Sequence, residues 1–111
     1  MPKPPSAGNS NAINMKDENN LVANSESRVT FTFDNPCTKQ IPDLVYVRAV
    51  LAADYVDNYS AIPVSLSAGT PLNTIIEKQT TGCTVTVSGP QNETLRNASV
   101  NLHYAAFEFA K

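Results

Sequence analysis

The sequence predicts an all-β protein, a small antiparallel β-sandwich of about six strands behind an extended N-terminal arm. Three observations predict it. From Arg28 onward apolar residues recur at every second position, the period of a half-buried strand. Turn-forming groups such as Asp34-Asn35-Pro36, Ala68-Gly69-Thr70-Pro71 and Gly89-Pro90 separate these runs. No segment carries the 3.6-residue period of an amphipathic helix. The 111 residues fit one domain with a small core, a size that often leans on oligomerisation or a disulfide.

Residues 1–27 form the arm. Asn9, Asn11, Asn14, Asn19, Asn20 and Asn24 are half of the chain's asparagines, and Pro2, Pro4 and Pro5 are three of its eight prolines. Such a segment buries too little apolar surface to offset its conformational entropy alone. Prolines pre-extend it and lower the cost of ordering it on a neighbour. The expectation is therefore an extended arm lying on another chain, with Ile13, Met15, Leu21 and Val22 as anchors.

Residues 28–111 form the sandwich. Val29, Phe31 and Phe33 alternate with Thr30 and Thr32 in the first strand. Leu44–Ala52 is a second strand, apolar on both faces except at Arg48, and fits the centre of a sandwich or a subunit interface. Residues 61–66 and 74–79 are shorter strands, and Asp54–Ser60 reads as a loop or one helical turn. Cys83, Val85 and Val87 alternate with Thr84, Thr86 and Ser88. In the last strand, 99–109, Val100, Leu102 and Tyr104 point inward, and Phe107 and Phe109 break the parity, which calls for a bulge near Ala105-Ala106. The expected core is Phe31, Val45, Val47, Val85, Val87, Leu102 and Tyr104.

Charge and motif content point away from several function classes. Charged residues are 16% of the chain and the net charge is −2. The eight basic residues are dispersed, whereas nucleic-acid binding needs a basic face, so no direct nucleic-acid contact is expected. No apolar run is long enough for membrane insertion, and Met1-Pro2-Lys3-Pro4-Pro5 lacks the apolar stretch of a secretory signal. No Gly-rich phosphate loop, nucleophile elbow or metal-ligand spacing occurs, so no catalytic residue, metal or cofactor is expected. The single histidine, His103, sits mid-strand and reads as a surface or interface residue. Cys37 and Cys83 leave two readings open, a pair of buried thiols or a disulfide staple between strands.

Four segments in order carry a resemblance: Val29–Phe33, Ile41–Val47, Thr81–Val87 and Val100–Ala106. An aromatic-ended strand, a proline before an apolar strand, a glycine opening a strand, and a closing strand with an aromatic before a small residue resemble the H-type lectin domain of snail agglutinins and discoidins. The resemblance spans about residues 28–110 and implies a six-stranded antiparallel sandwich, a trimer, and binding of N-acetylgalactosamine-type sugars on a cell surface. Cys83 stands where the family has an aromatic, and Tyr104 where it has tryptophan. The loop before the last strand offers Gln91, Asn92, Glu93 and Arg96 as sugar-binding groups but no aromatic ring.

These readings lead to one expectation and one alternative. The expectation is a non-enzymatic assembly protein, a virion accessory component such as a capsid decoration or fibre module, attached through its arm to another structural protein, homotrimeric, and located in a virion or outside cells after release. The alternative is an H-type-lectin-like carbohydrate-binding module.

Overall fold

A computed structural model describes the backbone of residues 10–34, 36, 37, 41–57 and 63–109, and their side chains except those of 10–15 and 109. The described residues contain eight strands and no helix: β1 Ser10–Val22, β2 Arg28–Thr32, β3 Leu44–Leu51, β4 Tyr55–Asp57, β5 Val64–Leu66, β6 Pro71–Lys78, β7 Gly82–Ser88 and β8 Ser99–Phe109. Six of them make one antiparallel sheet in the order β1-β8-β3-β6-β7-β2, and β4 pairs with β5.

The sheet folds over at β6. Pro71 and Leu72 pair with Val50 and Ala49 of β3, and Asn73–Lys78 then pair with β7. One strand thus serves both halves, and Pro71, which lacks an N–H, sits at its first position. The halves face each other as a sandwich: Phe31 of β2 stacks on Tyr104 of β8 with ring centroids 4.0 Å apart. The turn into β6 needs Gly69 at φ 84°. At the start of β7, Gly82 lies so close to the Phe31 carbonyl that a Cβ would collide with it.

Period-two alternation sets the core. Burial alternates along β2 and β3, and all seven expected core residues are buried. Burying a Val, Leu or Phe side chain contributes roughly 1.5–3 kcal/mol each. Phe33, Leu51, Leu95, Val100 and Ala106 complete this interior.

Three local expectations are corrected. Residues 55–57, read as part of a loop, are strand β4, with Tyr55 and Asp57 turned inward and Val56 outward. The bulge expected in β8 is absent: Leu44–Leu51 pair with Phe107–Val100 in unbroken register, so Ala106 stays inward and Phe107 outward. The extra residue lies opposite, in β1, where the pairing passes from Ala12↔Phe107 to Asn14↔Ala106.

The third correction concerns the arm. Residues 10–22, expected to stand away from their own domain, pair with its strand β8. β8 presents a full row of backbone groups on the side away from β3, and β1 satisfies them. A second extra residue falls between Glu18 and Leu21, where Asn20 takes φ 59° and its N–H donates to Asn101 Oδ1 at 2.9 Å. That bulge reverses the side-chain parity, so Leu21 packs against the chain's own core and Val22 is exposed. Leu21, expected as a partner anchor, is thus half-buried against its own core. The backbones of Ile13 and Met15 are in β1, and their side chains lie outside the described residues. Asn24 closes the turn into β2, its Oδ1 accepting from the N–H groups of Glu26 and Arg28 at 2.8 and 3.0 Å.

Candidate functional site

The loop Gln91–Arg96 uses its polar groups on its own fold. Gly89 N–H donates to the Glu93 carbonyl and Asn92 N–H to the Gly89 carbonyl, closing a tight turn with Asn92 at φ 60°. The Glu93 carboxylate accepts from Gln91 N–H at 2.6 Å and is held inside that turn. Gln91 and Asn92 are exposed beside it. Arg96 turns the other way, toward Asp57, with Nε 3.9 Å from Oδ2. The four sugar-binding groups expected in this loop therefore do not converge on one surface.

Asp57, Tyr55 and Arg96 form a polar group at one end of the sandwich. Asp57 is 3% exposed. The Tyr55 hydroxyl lies 3.2 Å from Asp57 Oδ2, 3.1 Å from the Arg96 carbonyl and 3.5 Å from the Thr94 carbonyl. It has one proton for three acceptors, and the bond to either carbonyl ties β4 to the segment before β8. A hollow of about 390 Å³ lies against this group, between β4 and residues 96–99.

A second polar group stands on the outer face of the β1-β8-β3 half. Arg48 of β3 is directly opposite His103 of β8, and His103 is directly opposite Asp17 of β1. His103 Nδ1 lies 2.6 Å from Asp17 Oδ1. All three residues are exposed. Arg48 has no ion pair among the described residues. With Asn19, Val50 and Asn101 they line an open depression of about 270 Å³.

This depression can exchange hydrogen bonds, and its His–Asp pair resembles two parts of a hydrolytic triad. Its lining has no hydroxyl or thiol that would serve as nucleophile. No three His, Cys, Asp or Glu side chains among the described residues are grouped to hold a metal.

The cysteines are both buried and free. Burial pushes the Cys83 thiol up to about 11, and burial followed by the nearby Glu108 carboxylate raises Cys37. Both are therefore protonated and poorly nucleophilic at neutral pH.

Toward the far end of β3 the same outer face is apolar. Leu44 lies opposite Phe107 and Tyr46 opposite Ala105, with Leu44 48% and Tyr46 55% exposed and Phe107 half-buried. Sequence reading found this apolar second face of β3 and singled out Arg48 and His103 separately. It missed Asp17, because only the β1–β8 ladder brings residue 17 to residue 103. No family model, curated protein or solved structure matches the chain.

Proposed function

We propose that this chain is a non-catalytic assembly protein that docks on protein surfaces through the outer face of its β1-β8-β3 half. One observation carries the reading. Leu44, Tyr46 and Phe107 form an outward apolar patch on a rigid sheet, and the polar row Arg48–His103–Asp17 adjoins it. Exposed apolar patches rimmed by polar groups mark interaction surfaces. The proposed setting is the surface of an assembled particle such as a virion, where a decoration or fibre module presents few charges; the 16% charged content supports this. Attachment through the arm gives way in this reading to attachment through the sheet that residues 10–22 help to build.

The test is purification of the tagged chain from its native source, beside the variant Tyr46→Asp. The reading expects co-purifying chains with the parent and their loss with the variant. Co-purification that Tyr46→Asp leaves unchanged would remove this face from the function.

A second reading, a carbohydrate-binding module, is supported by the depression of about 270 Å³, where a guanidinium, an imidazole, a carboxylate and two amides surround Val50. Planar groups of this kind hydrogen-bond vicinal hydroxyls. Without a Phe, Tyr or Trp ring in that lining, the affinity per site is on the order of millimolar. A glycan array that gives no signal with multivalent protein, or a signal that Arg48→Ala leaves intact, would sink it.

A further inference from the structure

We infer that the outer face of β1-β8-β3 is complementary to itself, so that its occupant is a second copy of this chain, related by a two-fold axis running along β8. The inference rests on the docking reading above and names the partner.

The argument starts from the register. Arg48, His103 and Asp17 are directly opposite one another across three neighbouring strands, so they stand at one level in a straight row. Adjacent strands are spaced about 4.8 Å apart, which puts the cation and the anion at equal distances on either side of β8. Consider a second copy placed face to face and turned by a half-rotation about an axis parallel to β8, midway between the two sheets. That operation keeps the level along the strands and exchanges the two sides. Arg48 of each copy then faces Asp17 of the other, twice over.

The remaining rows agree with this placement. Because levels are kept, Tyr46–Ala105 faces the same row of the second copy, and Leu44–Phe107 does likewise. Apolar meets apolar at one end, opposite charges meet at the other, and the His103 rings lie near the axis. The strands of the two copies run roughly parallel, the aligned arrangement in which face-packed sheets sit about 10 Å apart. A half-rotation perpendicular to the strands and centred on the polar row would instead set Arg48 against Arg48 and Asp17 against Asp17. The charges thus select the direction of the axis, and the apolar rows agree with it.

The size of the face sets the strength. Three strands and the eight residues of β3 give a face on the order of 400 Å² in plan. Counted on both copies this is about 800 Å², below the standard size of a specific interface, so the pair is weak and transient.

Charge reversal tests it. Sedimentation velocity on the full chain, from micromolar to millimolar concentration at low salt and pH 8, should show a monomer–dimer equilibrium. Arg48→Asp or Asp17→Arg, each placing like charges opposite one another, should weaken the dimer by at least about tenfold. The double reversal, Arg48→Asp with Asp17→Arg, restores both cross-pairs and should recover the parent affinity within about threefold. Tyr46→Ser should weaken the dimer without touching a charge. Far-UV circular dichroism on each variant separates lost pairing from lost fold.

A monomer throughout the range, a trimer or other oligomer that the reversals do not move, or a double reversal that fails to recover would each overturn the two-fold pairing. A monomeric parent whose co-purifying chains vanish with Tyr46→Asp would overturn the pairing and leave docking on a different protein standing.

Discussion

Two aspartates in this molecule each share a polar group with an arginine, and they do opposite things. Asp57 is buried, and with the Tyr55 hydroxyl and Arg96 it fastens β4 to the segment before β8. Asp17 is exposed on the edge strand, where its carboxylate meets His103 and Arg48 stands beyond. The residue types are nearly the same. What differs is access to water: around Asp57 a lost partner leaves a polar group that water cannot readily rescue, whereas around Asp17 water replaces any partner. The first group belongs to the fold and the second is available to a partner.

The comparison is broken most severely by removing the strand that carries Asp17. Deleting residues 1–22 strips β8 of the ladder it shares with β1 and exposes the core side of Leu21's neighbours, including Val100. The expected loss is at least about 4 kcal/mol, a fall in Tm on the order of 20 °C for a domain of this size. Thermal unfolding followed by circular dichroism measures it. A truncated chain that unfolds at the parent temperature would show that β1 is an accessory after all.

Asp57→Ala is the next largest. It removes an acceptor of the Tyr55 hydroxyl and the carboxylate beside Arg96. Arg96 is partly exposed, which tempers the cost of stranding its charge, and the expected destabilisation is about 2 kcal/mol. Urea denaturation should show a lower midpoint with an unchanged slope. A midpoint equal to the parent's would mean that the buried group is dispensable, and the contrast with Asp17 would fail.

Which parts of this were legible in the sequence follows from where the period of two holds. It holds in β2, β3 and β7, so their inward residues were readable one by one. It fails in β1, where the extra residues at Ile13 and between Glu18 and Leu21 each reverse the parity, and the run from Lys16 to Val22 looks patternless. β4 was invisible because it is three residues long and turns an aspartate inward. The parity break assigned to β8 came from Phe107, a large apolar residue that the structure leaves on the outer face. The candidate site was half legible: Arg48 and His103 stood out as odd residues within apolar strands, but Asp17 joins them only through a pairing that no local pattern reveals.

The buried interior also sharpens the comparison through pH. Cys83 is raised to about 11 in the folded chain, first by burial. Its thiol in the unfolded chain titrates near its ordinary value of about 8.5. The folded state therefore holds its proton where the unfolded state has released it. The contribution is fully present below about pH 8.5 and is lost as the pH rises toward 11. Tyr104, also raised by burial, adds to the loss at the upper end. Stability should fall on the alkaline side of pH 9, and Cys83→Ala, though less stable at neutral pH through its small cavity, should show a shallower fall. Parallel alkaline curves for the two proteins would count against this account.

The smallest expected effect on stability is the one that the comparison depends on most. Asp17→Asn keeps the shape of the side chain and an oxygen that can accept from His103 Nδ1, and it removes only the charge. Asp17 and His103 are both exposed, so their pairing is screened, and the parent and variant should differ by less than about 0.5 kcal/mol in urea. The far-UV spectrum should be the same, because the β1–β8 ladder is built from backbone groups that the substitution does not touch. Association should nevertheless weaken, since each cross-pair to Arg48 of a second copy loses its anion, and it should weaken less than with Asp17→Arg, which adds repulsion. Equilibrium unfolding and sedimentation on the same preparation give both readings. A variant as destabilised as Asp57→Ala would place Asp17 with the fold and erase the distinction between the two carboxylates.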